Sequence, residues 1–516
     1  MMGMPRSVAT GERAGRYLEY AGLAALLLAF FGLYSVKIAD IDFWWHIAAG
    51  KQILAAGALP EQDPFSVYNA AGVWGQTVLK SQWLGQVFLY EVFDHFGADG
   101  IIFAKAAILT ACLALVYARC RMVGAAPLAS FAVLFLVGMG LRGYTTERPQ
   151  LLSFLFFALM FFVLDGFARS GRRWLLYLLP PLALVWANSH GGLVLGAVTL
   201  LLFAAGYALE GRVLRGSVPR PHSLALGAVA ALSAGAILLA PNGLTTFEYL
   251  AFLEKSEIRD RVSEYFSPFS FWGEWASAPF LPYYWVFLVL TVAALFTFFS
   301  KERLKEGGLV VALALLSLTG YRYVPFFLLL AAPYAAAGLG NLIGRMAWSK
   351  AGAGAAAVLV AGWLLVGGFR DGSMFQRGVH EESYPAGAVA FMRANHVSGR
   401  MFNSMAWGGY LIWNLHPEVQ VYIDGRMLDP KRVVPYTHIL WLTPPGKYFF
   451  ERARFDLVLV PGRNRLDGAA EQYPLIAYLQ NDPQWQILYR DASGYLFGRR
   501  RVAFPPYPSV RGDPVF

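Results

Sequence analysis

Charge and cysteine are both scarce in this chain of 516 residues. Only 15% of the residues are Asp, Glu, Lys or Arg, whereas 57% are hydrophobic and 16% aromatic, which excludes the composition of an ordinary water-soluble protein. The two cysteines, Cys112 and Cys120, provide neither a disulfide framework nor the ligand spacing of a Cys-rich metal site. The phosphate-binding pattern G-x-x-x-x-G-K-[ST] is absent as well, which argues against a P-loop nucleotide enzyme.

Long apolar stretches are what the sequence has instead. A helix needs about 20 mainly apolar residues to cross the hydrocarbon core of a bilayer. Eleven segments approach that length, and the sequence therefore predicts an α-helical polytopic membrane protein of the lipid bilayer with about eleven transmembrane helices: 17–36, 100–120, 125–141, 150–168, 174–188, 191–209, 222–240, 282–300, 308–320, 323–343 and 351–368.

Basic residues collect at the N-terminus and in every second connector, which predicts that these parts are cytoplasmic. The remaining connectors, and the tail after eleven crossings, are then expected outside the cytoplasmic (inner) membrane, in the periplasm or at the cell surface. The net charge of +10 is read as a topology signal, and no nucleic-acid partner is expected. The basic connectors contain Arg119 and Arg121, Arg169, Arg172 and Arg173, Arg212, Arg215 and Arg220, Lys301, Arg303 and Lys305, and Arg345 and Lys350.

The composition changes after Gly368, which predicts a transmembrane domain at 1–369 and a soluble, outward α/β domain at 370–516. Alternating polar and apolar residues indicate short helices and strands in the tail. We expect a helix at 384–395, strands at 419–423 and 455–460, a closing hairpin at 487–497, and an irregular Pro-rich end at 504–516.

The first outer connector carries Asp40, Asp42 and His46 directly after the first crossing. The following run, 43–54, is expected to be a helix in the membrane interface with its aromatic residues at headgroup depth and Asp42 as its N-cap. Two interpretations of the acids stay open: catalytic carboxylates, or a helix cap at Asp42 beside a solvated Asp40.

Later outer connectors add isolated cations and a histidine. Arg148, beside Glu147, could hold a phosphate in a bidentate fashion, pair with Glu147, or contact a lipid headgroup. His190 lies in a tight turn with Asn188 and could be a proton carrier, a phosphate ligand or part of a structural turn. Arg322 could snorkel to the interface or act as a second phosphate clamp.

The longest outer connector, 241–282, mixes charges such as Glu264 with a run of aromatic residues. This mixture is typical of a surface segment that lies on the bilayer and could cover a cavity. Most of its charges are expected to be solvated.

Together these groups suit transfer from a lipid-linked phosphate ester, if they converge in one outward pocket. A carboxylate, Asp40 or Asp42, would take the proton of an acceptor hydroxyl while cations stabilise the departing phosphate. We assign Arg148, Arg322 and His190 to the donor phosphate, and His46, Glu147 and Asn188 to the substrate. No redox cofactor is needed; the paired acids permit Mg²⁺ or Mn²⁺, but further oxygen ligands are not identifiable.

The chain resembles the GT-C superfamily of polytopic glycosyltransferases, in particular bacterial membrane proteins related to the dolichyl-phosphate-mannose protein mannosyltransferases (family 39-like). The resemblance rests on Asp40-Ile41-Asp42, the following Phe-Trp-Trp-His run and Asp63-Pro64-Phe65-Ser66, and it extends over about two thirds of the chain. It implies a polyprenyl-phosphate-sugar donor and a first-loop carboxylate as base, matching Asp40 or Asp42. Asp40 is preferred because capping would give Asp42 another role.

The tail is similar to oligosaccharyltransferases at Ser404–Tyr410, the counterpart of their acceptor-binding WWDYG segment, but the Asp of that segment is missing. Glycosylation of an Asn sequon is therefore not implied. The turn Asp424-Gly425-Arg426 has no role in the resemblance and is read as an ordinary strand-ending turn.

The leading hypothesis is an inverting transferase that moves a sugar from an undecaprenyl-phosphate carrier to a glycan, lipid or protein acceptor outside the membrane. A transporter or flippase of lipid-linked glycans is the alternative, and a catalytically dead scaffold is a third. A transporter should place ionisable residues near the middle of its helices and often shows inverted repeats. Here the polar groups gather at one predicted face, which favours the enzyme.

Overall fold

The computed structural model describes residues 6–68, 72–213, 220–255, 262–271, 278–297, 303–343, 349–462 and 472–500. Some sequence predictions lie outside these residues: the basic connector positions Arg215, Lys301 and Arg345, and the Pro-rich end at 504–516.

The chain forms two compact units, which we describe separately. The helical unit comprises Met1–Lys37, His95–Thr246 and Leu253–Gly378, and the sheet unit comprises Ile38–Asp94, Phe247–Phe252 and Val379–Phe516. Our boundary at 369/370 marks a change in composition, whereas these units follow contacts. The first outer connector therefore groups with the tail.

Every predicted apolar segment overlaps a helix. In chain order the helices up to residue 370 are α1 (Arg6–Tyr34), α2 (Phe43–Ala56), α3 (Gly72–Lys80), α4 (Trp83–Met122), α5 (Pro127–Leu141), α6 (Gln150–Ser170), α7 (Leu179–Ser189), α8 (Leu193–Val213), α9 (Arg220–Leu239), α10 (Thr245–Lys255), α11 (Leu281–Thr297), α12 (Leu304–Thr319), α13 (Val324–Ile343) and α14 (Lys350–Arg370).

Eight helices in the described part of the chain are long and apolar enough to cross a membrane, and the protein is a multi-pass membrane protein. Three other predicted segments, those of α7, α11 and α12, form helices of only 11, 17 and 16 residues. The orientation inferred from the basic connectors remains a prediction.

Helix α13 lies at the centre of the helical unit, with its residues from Val324 to Gly338 buried against α5, α11 and α12. At the side, α1 packs closely on α14 through glycine. A Cβ added to Gly22 would lie 2.6 Å from the Gly354 carbonyl oxygen, so only a small residue allows the two backbones to approach. Such contacts are typical of helices packed in a membrane.

Charged residues inside the helical unit are paired. Arg119, which we assigned to a cytoplasmic connector, is buried near the end of α4, where its Nε lies 2.7 Å from Asp165 Oδ2. Its Nη1 donates to the Leu329 carbonyl at 2.6 Å. A charge at this position needs such partners because little water is present to solvate it.

The sheet unit contains the predicted α/β tail. The elements are β1 (Gly399–Asn403), β2 (Val419–Val421), β3 (Leu457–Pro461), β4 (Trp485–Arg490), β5 (Gly494–Arg499), α15 (Ala386–Ala394), α16 (Met405–Leu415), α17 (Val433–Leu440), α18 (Pro444–Ala453) and α19 (Pro474–Asn481). The five strands lie in the order β2-β1-β3-β5-β4. Strands β2, β1 and β3 are parallel, whereas β5 is antiparallel to both β3 and β4, which confirms the closing hairpin.

Alternation along the strands gives the sheet two apolar faces. Met401 and Leu457 belong to one hydrophobic cluster, with α15, α16 and residues of α2, whereas their neighbours Phe402 and Val458 belong to the other, with α17, α18 and α19. Because successive side chains of a strand point to opposite faces, β1 and β3 are buried on both sides. The first outer connector joins the first of these clusters.

Candidate functional site

The turn at Asp40 is fixed from both its side chain and its backbone. Asp40 Oδ1 accepts the backbone N–H of Asp42 at 2.8 Å. Its carbonyl oxygen accepts the hydroxyl of Tyr384 at 3.0 Å. A residue of the tail thus contacts the turn that presents both acids.

Asp42 precedes α2, but the prediction that its side chain caps the helix is wrong. The residue has φ −86° and ψ −20°, which are helical rather than extended, and no side-chain cap bond forms. Asp42 Oδ1 instead accepts the indole N–H of Trp45 at 2.9 Å. Capping therefore does not account for Asp42, and both acids remain candidates for the base.

Helix α2 forms as predicted, but its aromatic residues are not presented to lipid. Trp44 and Trp45 are each 5% exposed, and the Trp44 ring makes edge contacts with Tyr384 at 5.6 Å and Tyr410 at 5.1 Å. The apolar face of the tail covers them and removes the need for a membrane interface. His46 is 2% exposed and lies against Trp45 with 3.6 Å between ring centroids.

Two glycines of the tail lie against the first connector. A Cβ on Gly409, in α16, would be 2.8 Å from the Ile41 carbonyl oxygen. A Cβ on Gly425 would overlap Asp42 Oδ1. The Ser404–Tyr410 stretch therefore begins a helix whose glycine face contacts the first connector.

A buried ionic network joins the first connector to the turn after β2, which we predicted to be an ordinary strand-ending turn. Arg426 Nη1 donates to Asp63 Oδ1 at 2.8 Å, and its Nε donates to Asp424 Oδ1 at 2.8 Å. The three side chains are 3%, 0% and 3% exposed, respectively. Burial alone would lower the pKa of Arg426, but the charges of Asp424 and Asp63 outweigh it and raise that pKa.

In the helical unit, both candidate phosphate arginines lie beside the turn at Ser263–Tyr265. Arg148 Nη1 lies 2.8 Å from Glu264 Oε1, and the two side chains are 25% and 24% exposed. The Arg322 guanidinium lies 4.6 Å from the centroid of the Tyr265 ring. Glu264 is thus an ion-pair partner rather than a solvated charge.

His190 has a defined tautomer, because its Nδ1 accepts the backbone N–H of Gly192 at 3.0 Å and lies 2.8 Å from Ser153 Oγ. Nδ1 therefore carries no proton, and the proton of the neutral ring is on Nε2. Burial, followed by the charges of Arg322 and Arg148, lowers the pKa of His190 to about 3. This favours a neutral hydrogen-bond donor over a proton carrier.

The other two predicted substrate residues of the helical unit have partners within it. Glu147 forms an ion pair with Lys105, and the two side chains are 2% and 1% exposed. Asn188 Nδ2 donates to the Leu184 carbonyl at 2.8 Å. The assignment of Glu147 and Asn188 to the substrate stays a prediction.

Comparison with solved structures identifies the fold of this chain. No family model and no curated protein sequence matches the chain. The oligosaccharyltransferase of Archaeoglobus fulgidus, solved with a tethered acceptor peptide containing the NVT sequon, has a TM-score of 0.53 at 11% identity, over 86% of this chain and 69% of that one. ArnT from Cupriavidus metallidurans, solved with bound undecaprenyl phosphate, has a TM-score of 0.51 at 12% identity, over 92% and 97%.

The chain has the GT-C glycosyltransferase fold. This confirms the fold class that the sequence predicted, a polytopic helical core with an α/β tail. At identities of 11% and 12% the GT-C likeness concerns architecture, and it transfers no residue roles.

Within this GT-C fold the predicted site residues form two sets. Arg148 and Arg322 each lie within electrostatic reach of His190 in the helical unit. Asp40 and Asp42 lie together in the sheet unit. The convergence of both sets on one substrate stays a prediction from the sequence.

Asp40 and Asp42 are the metal ligands that the sequence predicts, if a metal ion takes part. Among the residues that the structure describes, no three His, Cys, Asp or Glu side chains cluster as metal ligands. Mg²⁺ is often held by one or two carboxylates together with water and substrate phosphate, so Asp40 and Asp42 fit such a role. A requirement for Mg²⁺ or Mn²⁺ stays a prediction.

Proposed function

We propose that the protein is an inverting membrane glycosyltransferase that transfers a sugar from an undecaprenyl-phosphate carrier to an acceptor in the periplasm or at the cell surface. The observation that carries the proposal is the group of two arginines and a neutral histidine, Arg148, Arg322 and His190, in a chain with the GT-C fold. Such a group matches the chemistry of a phosphate monoanion or dianion.

The donor phosphate is assigned to the helical unit. A guanidinium has five N–H donors and can contact a carboxylate and a phosphate together, so the ion pair of Arg148 with Glu264 is compatible with this assignment. Arg322, whose guanidinium lies 4.6 Å from the centroid of the Tyr265 ring, is the second cation assigned to the phosphate. His190 adds an Nε2 donor without adding charge, so the group attracts the phosphate and still allows the polyprenyl phosphate to leave.

The acceptor proton is assigned to the first connector. The acceptor hydroxyl attacks the anomeric carbon on the face opposite the phosphate, its proton passes to Asp40 or Asp42, and the bond from carbon to the phosphate oxygen breaks. A single displacement of this kind inverts the anomeric configuration. Both electrons of the broken bond leave with undecaprenyl phosphate, whose growing charge the arginines stabilise.

The test uses the purified full chain in vesicles, with synthetic undecaprenyl-phosphate-linked sugars of several types as donors and an envelope extract as acceptor. The proposal expects release of undecaprenyl phosphate from at least one donor and a product of inverted configuration. A retained configuration would contradict the single displacement. An absence of release with every donor would contradict the transferase itself.

The flippase alternative draws on the buried ion pair of Arg119, near the end of α4, with Asp165 of α6, since paired ionisable groups inside a helical membrane unit also occur in transporters. The same vesicles separate the two functions. A flippase moves the labelled donor across the bilayer and leaves the bond between sugar and phosphate intact.

A further inference from the structure

The network around Arg426 holds two remote segments together. Its Nη2 donates to Asp424 Oδ2 at 2.8 Å and to Asp63 Oδ2 at 3.3 Å, so that both acids engage the guanidinium through two oxygens. Paired contacts of this kind fix orientation as well as distance. Because the side chains are buried, Arg426 itself is not placed to bind a substrate.

Asp63 also orders the first connector through backbone contacts. Asp63 accepts the backbone N–H of Ser66 at 3.1 Å, and two backbone bonds then join the connector to β2, from Val67 N–H to the Val421 carbonyl at 2.9 Å and from Val421 N–H to the Phe65 carbonyl at 3.2 Å. Strand β2 leads directly to the turn at Asp424-Gly425-Arg426. The turn is therefore held at both ends.

Gly425, in the middle of this turn, lies against Asp42, one of the two candidate bases. Its φ is not among the left-handed values of the chain, so the backbone itself would tolerate alanine. What excludes a side chain is Asp42 Oδ1, which an added Cβ would overlap, together with Trp45 Nε1 at 3.4 Å. The carboxylate is thus confined between the Trp45 indole on one side and the Gly425 backbone on the other.

We infer that the Asp63–Arg426–Asp424 network positions Asp42, one of the two candidate bases of the transfer reaction: it fixes the turn whose Gly425 backbone sets the orientation of the Asp42 carboxylate. Arg426 acts through this turn and is a positioning residue. The expected effect on turnover rests on the proposed function, whereas the expected effect on backbone hydrogen exchange concerns the sheet unit alone.

The first experiment compares Gly425→Ala with Gly462→Ala as its control. At Gly462 an added Cβ would lie 3.5 Å from the Tyr495 ring and 3.8 Å from Gly494 Cα, which are ordinary contacts. Backbone hydrogen exchange of the full chain in detergent should become at least tenfold faster at 40–46 in Gly425→Ala and remain at the wild-type rate in Gly462→Ala. In the vesicle assay, kcat should fall at least tenfold while KM for the undecaprenyl-phosphate-linked sugar changes less than twofold.

A double variant tests whether the effect acts through Asp42. In an Asp42→Ala background the overlap is removed, so adding Gly425→Ala should leave the exchange at 40–46 at the rate of Asp42→Ala alone. Equal acceleration by Gly425→Ala with and without Asp42 would overturn the inference, because the glycine would then act on something else.

Arg426→Lys keeps the charge but loses the paired contacts. It should accelerate exchange at both 40–46 and 419–426 and lower kcat more than it changes KM. If this variant does not fold, Gly425→Ala still decides the question: wild-type exchange and kcat in that variant would overturn the inference. Wild-type turnover in both Asp40→Asn and Asp42→Asn would instead remove the proposed function, and the exchange data would still report on the positioning contact.

Discussion

Arginines in the helical unit and in the sheet unit have different surroundings. Arg148 and its partner Glu264 are 25% and 24% exposed, and Arg322 lies near the rings of Tyr265 and Tyr323. Arg426 is 3% exposed and lies between Asp63 and Asp424. Arg426 is therefore a buried structural cross-link, whereas we expect the arginines of the helical unit to bind an anion.

Stability gives the largest expected difference between the two kinds of arginine. Arg426→Met leaves two buried carboxylates without their cation and should lower the free energy of unfolding by about 3–5 kcal/mol. Arg148→Met breaks a partly exposed pair and should cost less than about 1 kcal/mol. Denaturant unfolding in one detergent, followed by Trp fluorescence, measures both. Equal losses would erase the distinction between them.

For binding of undecaprenyl phosphate, we expect the larger losses from substitution of the arginines of the helical unit. Arg148→Ala and Arg322→Ala should each weaken binding of undecaprenyl phosphate by about tenfold to a hundredfold, since a hydrogen bond to a charged group contributes about 1.5–3 kcal/mol. Arg172→Ala, an exposed arginine between α6 and α7, serves as the control. Binding to detergent-solubilised protein measures the effect, and wild-type affinity in both variants would refute the phosphate assignment.

Acid stability tests the neutral state of His190. Because its folded pKa of about 3 is below the ordinary value, the unfolded chain binds more protons between about pH 3 and 6.5. The contribution of the neutral ring is complete above about pH 6.5 and is lost as the pH falls toward 3. Wild type should therefore lose more stability on acidification than His190→Gln, whose side chain does not titrate. Parallel losses in the two proteins would show that His190 is not held neutral.

The smallest expected effect concerns the bond from Trp45 to Asp42. Trp45→Phe keeps the ring buried but removes the donor to Asp42 Oδ1, and kcat should fall by about tenfold, in line with one hydrogen bond to a charged group. Trp441→Phe, a more exposed tryptophan of the sheet unit, is the control. An unchanged kcat in Trp45→Phe would show that the indole does not orient the carboxylate.

The sequence predicted those features that local patterns encode. Apolar length identified the helices, and period-two alternation identified the hairpin at 487–497. The prediction that Asp42 caps α2 was wrong because its carboxylate accepts the indole N–H of Trp45, three residues later, rather than a backbone N–H of the helix. Residue types alone do not resolve this competition. The pairing of Asp63 with Arg426 was missed because it joins residues far apart in the chain, for which one sequence carries no signal.

Turnover by the first-connector variants tests the central claim most directly. Asp40→Asn, Asp42→Asn and the exposed control Glu61→Gln would be compared with wild type in vesicles, by release of undecaprenyl phosphate from its sugar-linked form. The account predicts a loss of about 10² to 10⁴-fold in at least one of the two Asp variants and none in the control, as expected when a general base is removed. Wild-type release by both Asp variants would contradict it.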